Sequence, residues 1–345
     1  MIFYKFYFFC IVLIIFLNFF LKKKDYLISE TGDLHQKFSS KNKVPLTGGI
    51  LIFISLVIFI FVEDRDVLYF YFHAFLILIL GLFADLKLIQ SAKKRFFFQI
   101  LIVISFILIC DIELNNTKIY FLDKFLSNNI FNVFFLTFSI LIVINGSNFL
   151  DGLNTLNVGY HLSIFIVLLY LDRMGIIDTN QIPLINVILV LFFVFILNLI
   201  NQIYLGDSGS YLLGFLSSIF LVHMYNVNQN ISPFFIVLLL WYPCFETLFS
   251  IIRKNVMNKS PLYPDIMHLH QHIFFIIKNK FKFKILFSNI ISALIINAYN
   301  VFMFFIATNF VALSQVQILL IIFNILLYTY IYFKIFIIRF KKYEK

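Results

Sequence analysis

The residues best placed to do chemistry lie in a polar stretch, 145–157, reading Asn-Gly-Ser-Asn-Phe-Leu-Asp-Gly-Leu-Asn-Thr-Leu-Asn between two long apolar runs, with no Lys or Arg. Asn148 and Asp151 are three residues apart, so they share a face if the segment is helical, and Gly146 and Gly152 let backbone approach a ligand closely. A second uncharged insert, Leu205-Gly206-Asp207-Ser208-Gly209-Ser210, holds one acid at the mouth of an apolar run. There one carboxylate can reach a cation while backbone amides meet a phosphate. Mg²⁺ suits such a place, because it keeps several waters and takes only one or two protein oxygens plus substrate phosphates. Helix capping by Asp207 or Ser208 is the structural alternative.

Three further inserts carry polar side chains. Lys41-Asn42-Lys43-Val44-Pro45-Leu46-Thr47-Gly48-Gly49 ends a basic loop with Pro and paired Gly, read either as a phosphate cradle or as a turn beside positive charge. Asp85 ends an apolar run ahead of Lys87, Lys93, Lys94 and Arg95; it is either catalytic or paired with Lys87 or Arg95. The segment 261–272 packs His268, His270 and His272 beside Asp265. Alternate histidines allow zinc, but without a Cys they serve equally as donors to a diphosphate. Glu246, inside an apolar run, is expected to pair within the bundle or with Arg253; with His73 and His223 it is assigned no chemistry.

These inserts need a scaffold, and the composition describes one. The chain has 345 residues, 62% hydrophobic and 20% aromatic, with a mean hydropathy of +0.97. That is too apolar for a soluble domain. Taking about 20 apolar residues per span, helices are expected near 3–21, 46–62, 67–83, 96–110, 130–145, 156–171, 182–200, 211–226, 233–252, 285–306 and 316–338. The expectation is an all-α polytopic membrane protein of about 11 transmembrane helices, forming a single catalytic domain over 1–345.

Charge sets the orientation. Segments 22–43, 84–95, 253–284 and 334–345 hold 6, 4, 7 and 5 Lys plus Arg, or 22 of the 27. By the positive-inside rule these face the cytoplasm, so the N-terminus lies outside and the C-terminus inside. The loops near 22–45, 84–95, 145–157, 201–210 and 253–284 then share the cytoplasmic side. Membrane orientation also explains the net charge of +10, with no need for nucleic acid. The first apolar run is followed by Lys22, Lys23 and Lys24 without a small-residue cleavage site, the pattern of a retained anchor. Cys10, Cys110 and Cys244 lie in or beside apolar runs without metal-like spacing.

Together the inserts resemble the polyprenyl-phosphate N-acetylhexosamine-1-phosphate transferases, glycosyltransferase family 4, which includes MraY, WecA and TagO. The motifs run in order through the chain: Pro-Leu-x-Gly-Gly from Pro45, the acidic loop at Asp85, Asn-Phe-Leu-Asp-Gly-Leu-Asn from Asn148, Gly-Asp-Ser-Gly-Ser from Gly206 and Pro-Asp-x-x-His-x-His from Pro264. Trp241-Tyr242-Pro243 through Glu246 and Arg253 is most similar to the WecA-like, surface-polysaccharide branch.

The resemblance implies transfer of a sugar 1-phosphate from a UDP-N-acetylhexosamine to undecaprenyl phosphate, releasing UMP, in the bacterial cytoplasmic membrane. It implies Mg²⁺, or Mn²⁺ in its place, held by Asp207 with Asn148 as second ligand. Asp85 would orient or deprotonate the lipid phosphate, and Asp151 would lie at the centre of the reacting groups. His268 and His270, with Lys41 or Lys43, would neutralise phosphate charge, while Tyr204 and Asn154 would meet uracil. A homodimer is a family expectation.

Two departures stand out. Ala84 precedes Asp85 where relatives often carry a second Asp, and Asn154 stands where relatives often carry Asp. They keep an inactive relative in view. A membrane transporter is the rival from another class; it predicts acids within spans and repeated halves, whereas here the acids cluster at helix ends and no repeat is visible. A CDP-alcohol phosphotransferase would need several closely spaced Asp on one helix pair, which this chain lacks.

Overall fold

The computed structural model describes residues 2–29, 43–57, 65–114, 116–179, 184–260 and 265–341. It contains α1 (Ile2–Lys24), α2 (Gly48–Val57), α3 (Arg65–Asp85), α4 (Ala92–Ile109), α5 (Tyr120–Leu126), α6 (Asn129–Leu150) and α7 (Leu156–Arg173). It continues with α8 (Leu184–Leu199), α9 (Gly206–Val227), α10 (Pro233–Leu239), α11 (Trp241–Val256), α12 (Leu269–Phe281), α13 (Ile285–Thr308) and α14 (Ser314–Lys341). Among the described residues there is no strand, only an isolated antiparallel bridge between Ile28 and Pro45.

Helix α9 is the axis. It packs on α3 and α6 and is flanked by α2 and α7, and it is buried along most of its length. Small residues permit the close approach, as helices need in a setting where apolar side chains gain little by leaving lipid. A Cβ on Gly49 would lie 2.6 Å from the Gly209 nitrogen, and one on Gly81 would overlap the Ser208 backbone. The paired glycines after Pro45 therefore seat α2 against the start of α9. The Gly48 amide donates to the Tyr204 carbonyl at 3.0 Å, and the Tyr204 amide to that of Pro45 at 2.9 Å.

The helix ends separate into two polar layers. At one end Tyr225 at the foot of α9 donates to the Asn116 carbonyl, Asn132 on α6 to that of Leu114, and the Ser232 amide to that of Val311. The other end gathers the C-termini of α3, α6 and α8 with the N-termini of α2, α7 and α9, tied together by the contacts described below. Lys93, Lys94, Arg95, Arg253 and Lys254 lie at helix ends in this second layer.

The eleven apolar runs are each helical in the described residues, but their boundaries differ from expectation. α6 continues through Leu150, so Asn145, Gly146, Ser147 and Asn148 are helical rather than looped. α9 begins at Gly206, placing Asp207 and Ser208 in its first turn. The run at 233–252 is broken at Leu240 by a 71° bend. Five described helices are long and apolar enough to cross a membrane, six if the bent pair is one span. α4, with three cations in its first turn, and α7, with Asn157, His161, Asp172 and Arg173, are the more polar ones. α5 and α12 were not expected as helices.

Candidate active site at the start of α9

α9 opens with a chemical difficulty. Its first amides lack intrahelical partners, and its N-cap residue, Leu205, has no side chain to satisfy them. Two carboxylates from other helices fill the need. Asp85, at the end of α3, accepts from the Asp207 amide at 2.8 Å and the Ser208 amide at 3.1 Å. Asp151, just past α6, lies beside the Gly206 amide and the Ser210 hydroxyl, which favour its ionised form against burial. Ser210 in turn receives the Asn157 amide at 3.1 Å. Gly206 has φ +69°, and any Cβ there would lie 2.7 Å from both Asp85 oxygens. The sequence-level idea that these amides meet a phosphate gives way to this arrangement: they already bind carboxylates.

Asp207 projects from the same turn and pairs with Arg95 of α4; Tyr211, one turn on, lies 3.4 Å from the same carboxylate oxygen. About a quarter of each charged partner is exposed. Arg95 thus pairs with Asp207, not Asp85. Three carboxylates from three elements surround one helix start with one guanidinium among them. Burial, and then the negative charges of Asp85 and Asp207, push the Asp151 carboxyl well above the usual carboxylate range. Asn148 sits one turn before Asp151, half-buried.

The acids are oxygen donors of the kind Mg²⁺ prefers, and their summed charge is unbalanced by Arg95, so they fit a hard cation that shares its shell with substrate and water. Among the described residues no three His, Cys, Asp or Glu side chains form a ready-made metal cage.

His268 precedes α12. Its Nδ1 lies 2.8 Å from Glu246 Oε1, while Tyr328 donates to Glu246 Oε2 at 2.8 Å. His268 Nε2 is 3.5 Å from Asp265, and its ring stacks on His270 at 5.5 Å. Glu246 therefore orients His268, while Arg253 pairs with Asp265 at 3.0 Å. Of the two expected pairings of Glu246, the one within the bundle is present and the one with Arg253 is not. The signal was present: an ionisable side chain inside an apolar span is expensive unless it has a task.

His270 is fully buried, and neither ring nitrogen has a hydrogen-bond partner among the described residues. Its Nε2 faces the turn after Asp151, 2.6 Å from where a Cβ on Gly152 would stand. An orphaned buried donor in a native site calls for a missing partner. Burial, assisted by His268, lowers its pKa to about 3, so it offers a neutral N–H and no positive charge. His272 binds Arg339 and lies outside this pair.

The turn after Asp151 is pinned by amides. Asn154 donates through its side chain to the Asn198 carbonyl and to Asn201 Oδ1, each at 3.1 Å, and its backbone amide donates to Asn289 Oδ1 at 2.7 Å. Tyr204 donates to the same Asn201 oxygen at 2.7 Å. Asn154 and Tyr204 are thus brought together through Asn201, with both amide hydrogens of Asn154 spent. Lys43 pairs with Asp25 at 2.6 Å in an exposed position. Lys41 lies outside the described residues.

Residues 67–225 match the model of glycosyl transferase family 4. The match covers a little under half of the chain. Its acidic residues Asp85, Asp151 and Asp207 all fall in the matched region, while His268, His270 and His272 lie beyond it. The chain is 28% identical over 243 residues to a probable undecaprenyl-phosphate N-acetylglucosaminyl 1-phosphate transferase of Bacillus subtilis, covering 67% of this chain and 65% of that protein. It is 28% identical to an undecaprenyl-phosphate alpha-N-acetylglucosaminyl 1-phosphate transferase of Thermotoga maritima, covering 67% of this chain and 68% of the relative. A decaprenyl-phosphate N-acetylglucosaminephosphotransferase of Mycolicibacterium smegmatis is 32% identical over 38% of this chain and 37% of its own length. The match thus spans about two thirds of the first two relatives.

Two outcomes follow from this arrangement. Glu246→Gln keeps the shape but removes the charge that orients His268; turnover is expected to fall roughly 10- to 100-fold, the loss seen when a partner holding a site histidine is removed, with thermal stability retained. Because His270 is held at about 3 instead of 6.5, the unfolded chain binds a proton below pH 6.5 that the folded chain refuses. Stability in detergent should therefore fall as pH drops from 6.5 toward 3, and a Tm-against-pH series of His270→Gln should show a shallower decline.

Proposed function

We propose that this chain is a member of glycosyl transferase family 4 that transfers a sugar 1-phosphate, of the N-acetylhexosamine class, from a UDP-sugar to undecaprenyl phosphate, as the first step of a lipid-linked cell-surface glycan. The observation that carries the reading is the convergence of Asp85, Asp151 and Asp207 on the start of α9 in a chain of this family. In the reaction an oxygen of the lipid phosphate attacks the sugar-bearing phosphorus of the donor. The phosphoanhydride bond breaks, UMP leaves with its electrons, and a polyprenyl diphosphate sugar remains.

Both reactants are anionic, so charge is the barrier to their meeting. Asp207, with Asn148 beside Asp151, would hold Mg²⁺, which when bound neutralises the donor diphosphate. Asp85 has both oxygens engaged by α9 amides, which supports an orienting role: it fixes Asp207 and leaves deprotonation to another group. Asp151, whose carboxyl favours its protonated form more than an ordinary Asp, lies between α6 and α9 at the centre of the site. His270 would donate a neutral N–H to a phosphate oxygen, and His268, oriented by Glu246, would lie beside it as a second donor. Arg95 is the nearest cation to Asp207 and is placed to transfer its attention to phosphate once the carboxylate is otherwise engaged.

Tyr204 and Asn154, joined through Asn201, would border the uracil; with its amide hydrogens spent, Asn154 would act through its oxygen. Lys41 and Lys43 would guard the approach of phosphate. The positive-inside distribution supports a cytoplasmic site in the inner membrane with eleven crossings and the N-terminus outside, since 22 of the 27 Lys and Arg lie in segments on the site's side. Exposed Phe72, Phe134, Phe302 and Phe323 around the bundle support contact with lipid tails. A homodimer is part of the same proposal.

The test is UMP release by the purified chain in lipid nanodiscs with undecaprenyl phosphate, Mg²⁺ and a panel of UDP-N-acetylhexosamines. Release that depends on the lipid and on one donor, abolished by EDTA and by Asp207→Asn in protein that remains folded, is expected. Full activity of Asp207→Asn would sink the metal assignment, and silence with every donor would sink the reaction.

A further inference from the structure

Helix α12 begins at the candidate site and ends in a patch of different character. Its early residues His270, Gln271 and His272 are buried, and its middle is fastened to α13 and α14. Beyond Ile277 the chain reads Lys-Asn-Lys-Phe-Lys-Phe-Lys-Ile-Leu-Phe over 278–287, with Lys278, Lys280, Lys282 and Lys284 at alternate positions. Only the three residues 282–284 separate α12 from α13, where a membrane-crossing helix begins at Ile285. The basic segment therefore sits at the membrane boundary.

Its side chains form a mixed surface. The Phe281 and Phe283 rings stack at 5.5 Å, and Phe283 meets Phe287 edge-on at 5.0 Å. These large rings stay open: Phe281 is 55% exposed and Phe287 52%. Lys278 lies over Phe274 at 6.0 Å and Lys280 over Phe281 at 5.8 Å, so the ammonium groups stand beside the rings. No acid balances them. The sequence holds no Asp or Glu between Asp265 and Glu344, and no described acidic side chain pairs with the four lysines.

We propose that residues 278–287 bind the anionic headgroups of bilayer phospholipid, the Phe rings entering the interfacial layer while the lysines meet phosphodiester groups. Aromatic side chains favour that layer, and each basic residue near an anionic surface adds attraction. A soluble acidic partner would leave the open rings without an apolar environment. Because α12 is a single helix from the histidines to this patch, the lipid contact fixes the end of the element that carries His270. The proposal stands apart from the sugar-phosphate reaction and is tested without it.

The full chain is purified in detergent and its retained lipid counted by native mass spectrometry with added phosphatidylglycerol or phosphatidylcholine. Wild type should retain phosphatidylglycerol preferentially, and a Lys278→Gln, Lys280→Gln, Lys282→Gln, Lys284→Gln variant should lose about tenfold or more in apparent affinity, as four removed surface attractions imply. A Lys22→Gln, Lys23→Gln, Lys24→Gln variant should behave as wild type. Equal retention by the first variant, or an equal loss in the second, overturns a specific site. So does displacement of phosphatidylglycerol by equimolar undecaprenyl phosphate, which would assign the patch to the lipid acceptor. Hydrogen exchange of wild type needs no variant: amides of 278–287 should exchange more slowly in phosphatidylglycerol nanodiscs than in phosphatidylcholine, and identical rates would also overturn it.

Discussion

The candidate site depends on how the first turn of α9 is satisfied. Leu205 cannot cap the helix, so its free amides are taken by Asp85 from α3, with Asp151 from beyond α6 beside the Gly206 amide. That exchange does two things at once. It locks three helices at their ends, where the glycines at 49 and 81 already bring backbones into contact. It also gathers negative charge where the positive end of a helix dipole can offset part of it. Asp207, on the same turn, is thereby placed beside two acids it would otherwise repel.

The charge that remains gives the site its chemistry. Arg95 answers one carboxylate, while burial and the neighbouring negative charges push the Asp151 carboxyl toward its protonated form. Like charges close together in such surroundings favour whatever supplies positive charge, whether proton or metal ion. The histidine side completes the picture with the opposite device. His270 is kept neutral and unpartnered, and His268 is oriented by a glutamate buried among Tyr328 and the α11 helix. One wall therefore gathers three carboxylates around a helix start, and the other presents an unpartnered, buried imidazole.

Much of this was legible in the chain. Period and length marked the helices, and the acids Asp85, Asp151 and Asp207 stood out because carboxylates at the ends of apolar runs are costly without a purpose. What sequence spacing could not give was partnership. Arg95 was one of two candidate cations for Asp85, and only the packing of α4 against α6 and α3 sends it to Asp207. Glu246 and His268 are far apart in sequence and meet through the approach of α11 and the segment before α12. The break at Leu240 was hidden as well, because a bent pair of apolar helices has the same composition as a straight one. Asn154 and Tyr204 were chosen separately, and Asn201, which joins them, drew no attention because a lone amide near a helix end has no pattern of its own.

The measurement that bears most directly on the acidic site is Mn²⁺ binding to the full chain in nanodiscs, followed by electron paramagnetic resonance with UDP-N-acetylglucosamine present, for wild type and Asp207→Asn. One bound ion per chain in wild type, lost in the folded variant, is the result predicted by a carboxylate cluster that holds a cation at the start of α9. Equal Mn²⁺ binding by the two proteins would contradict it.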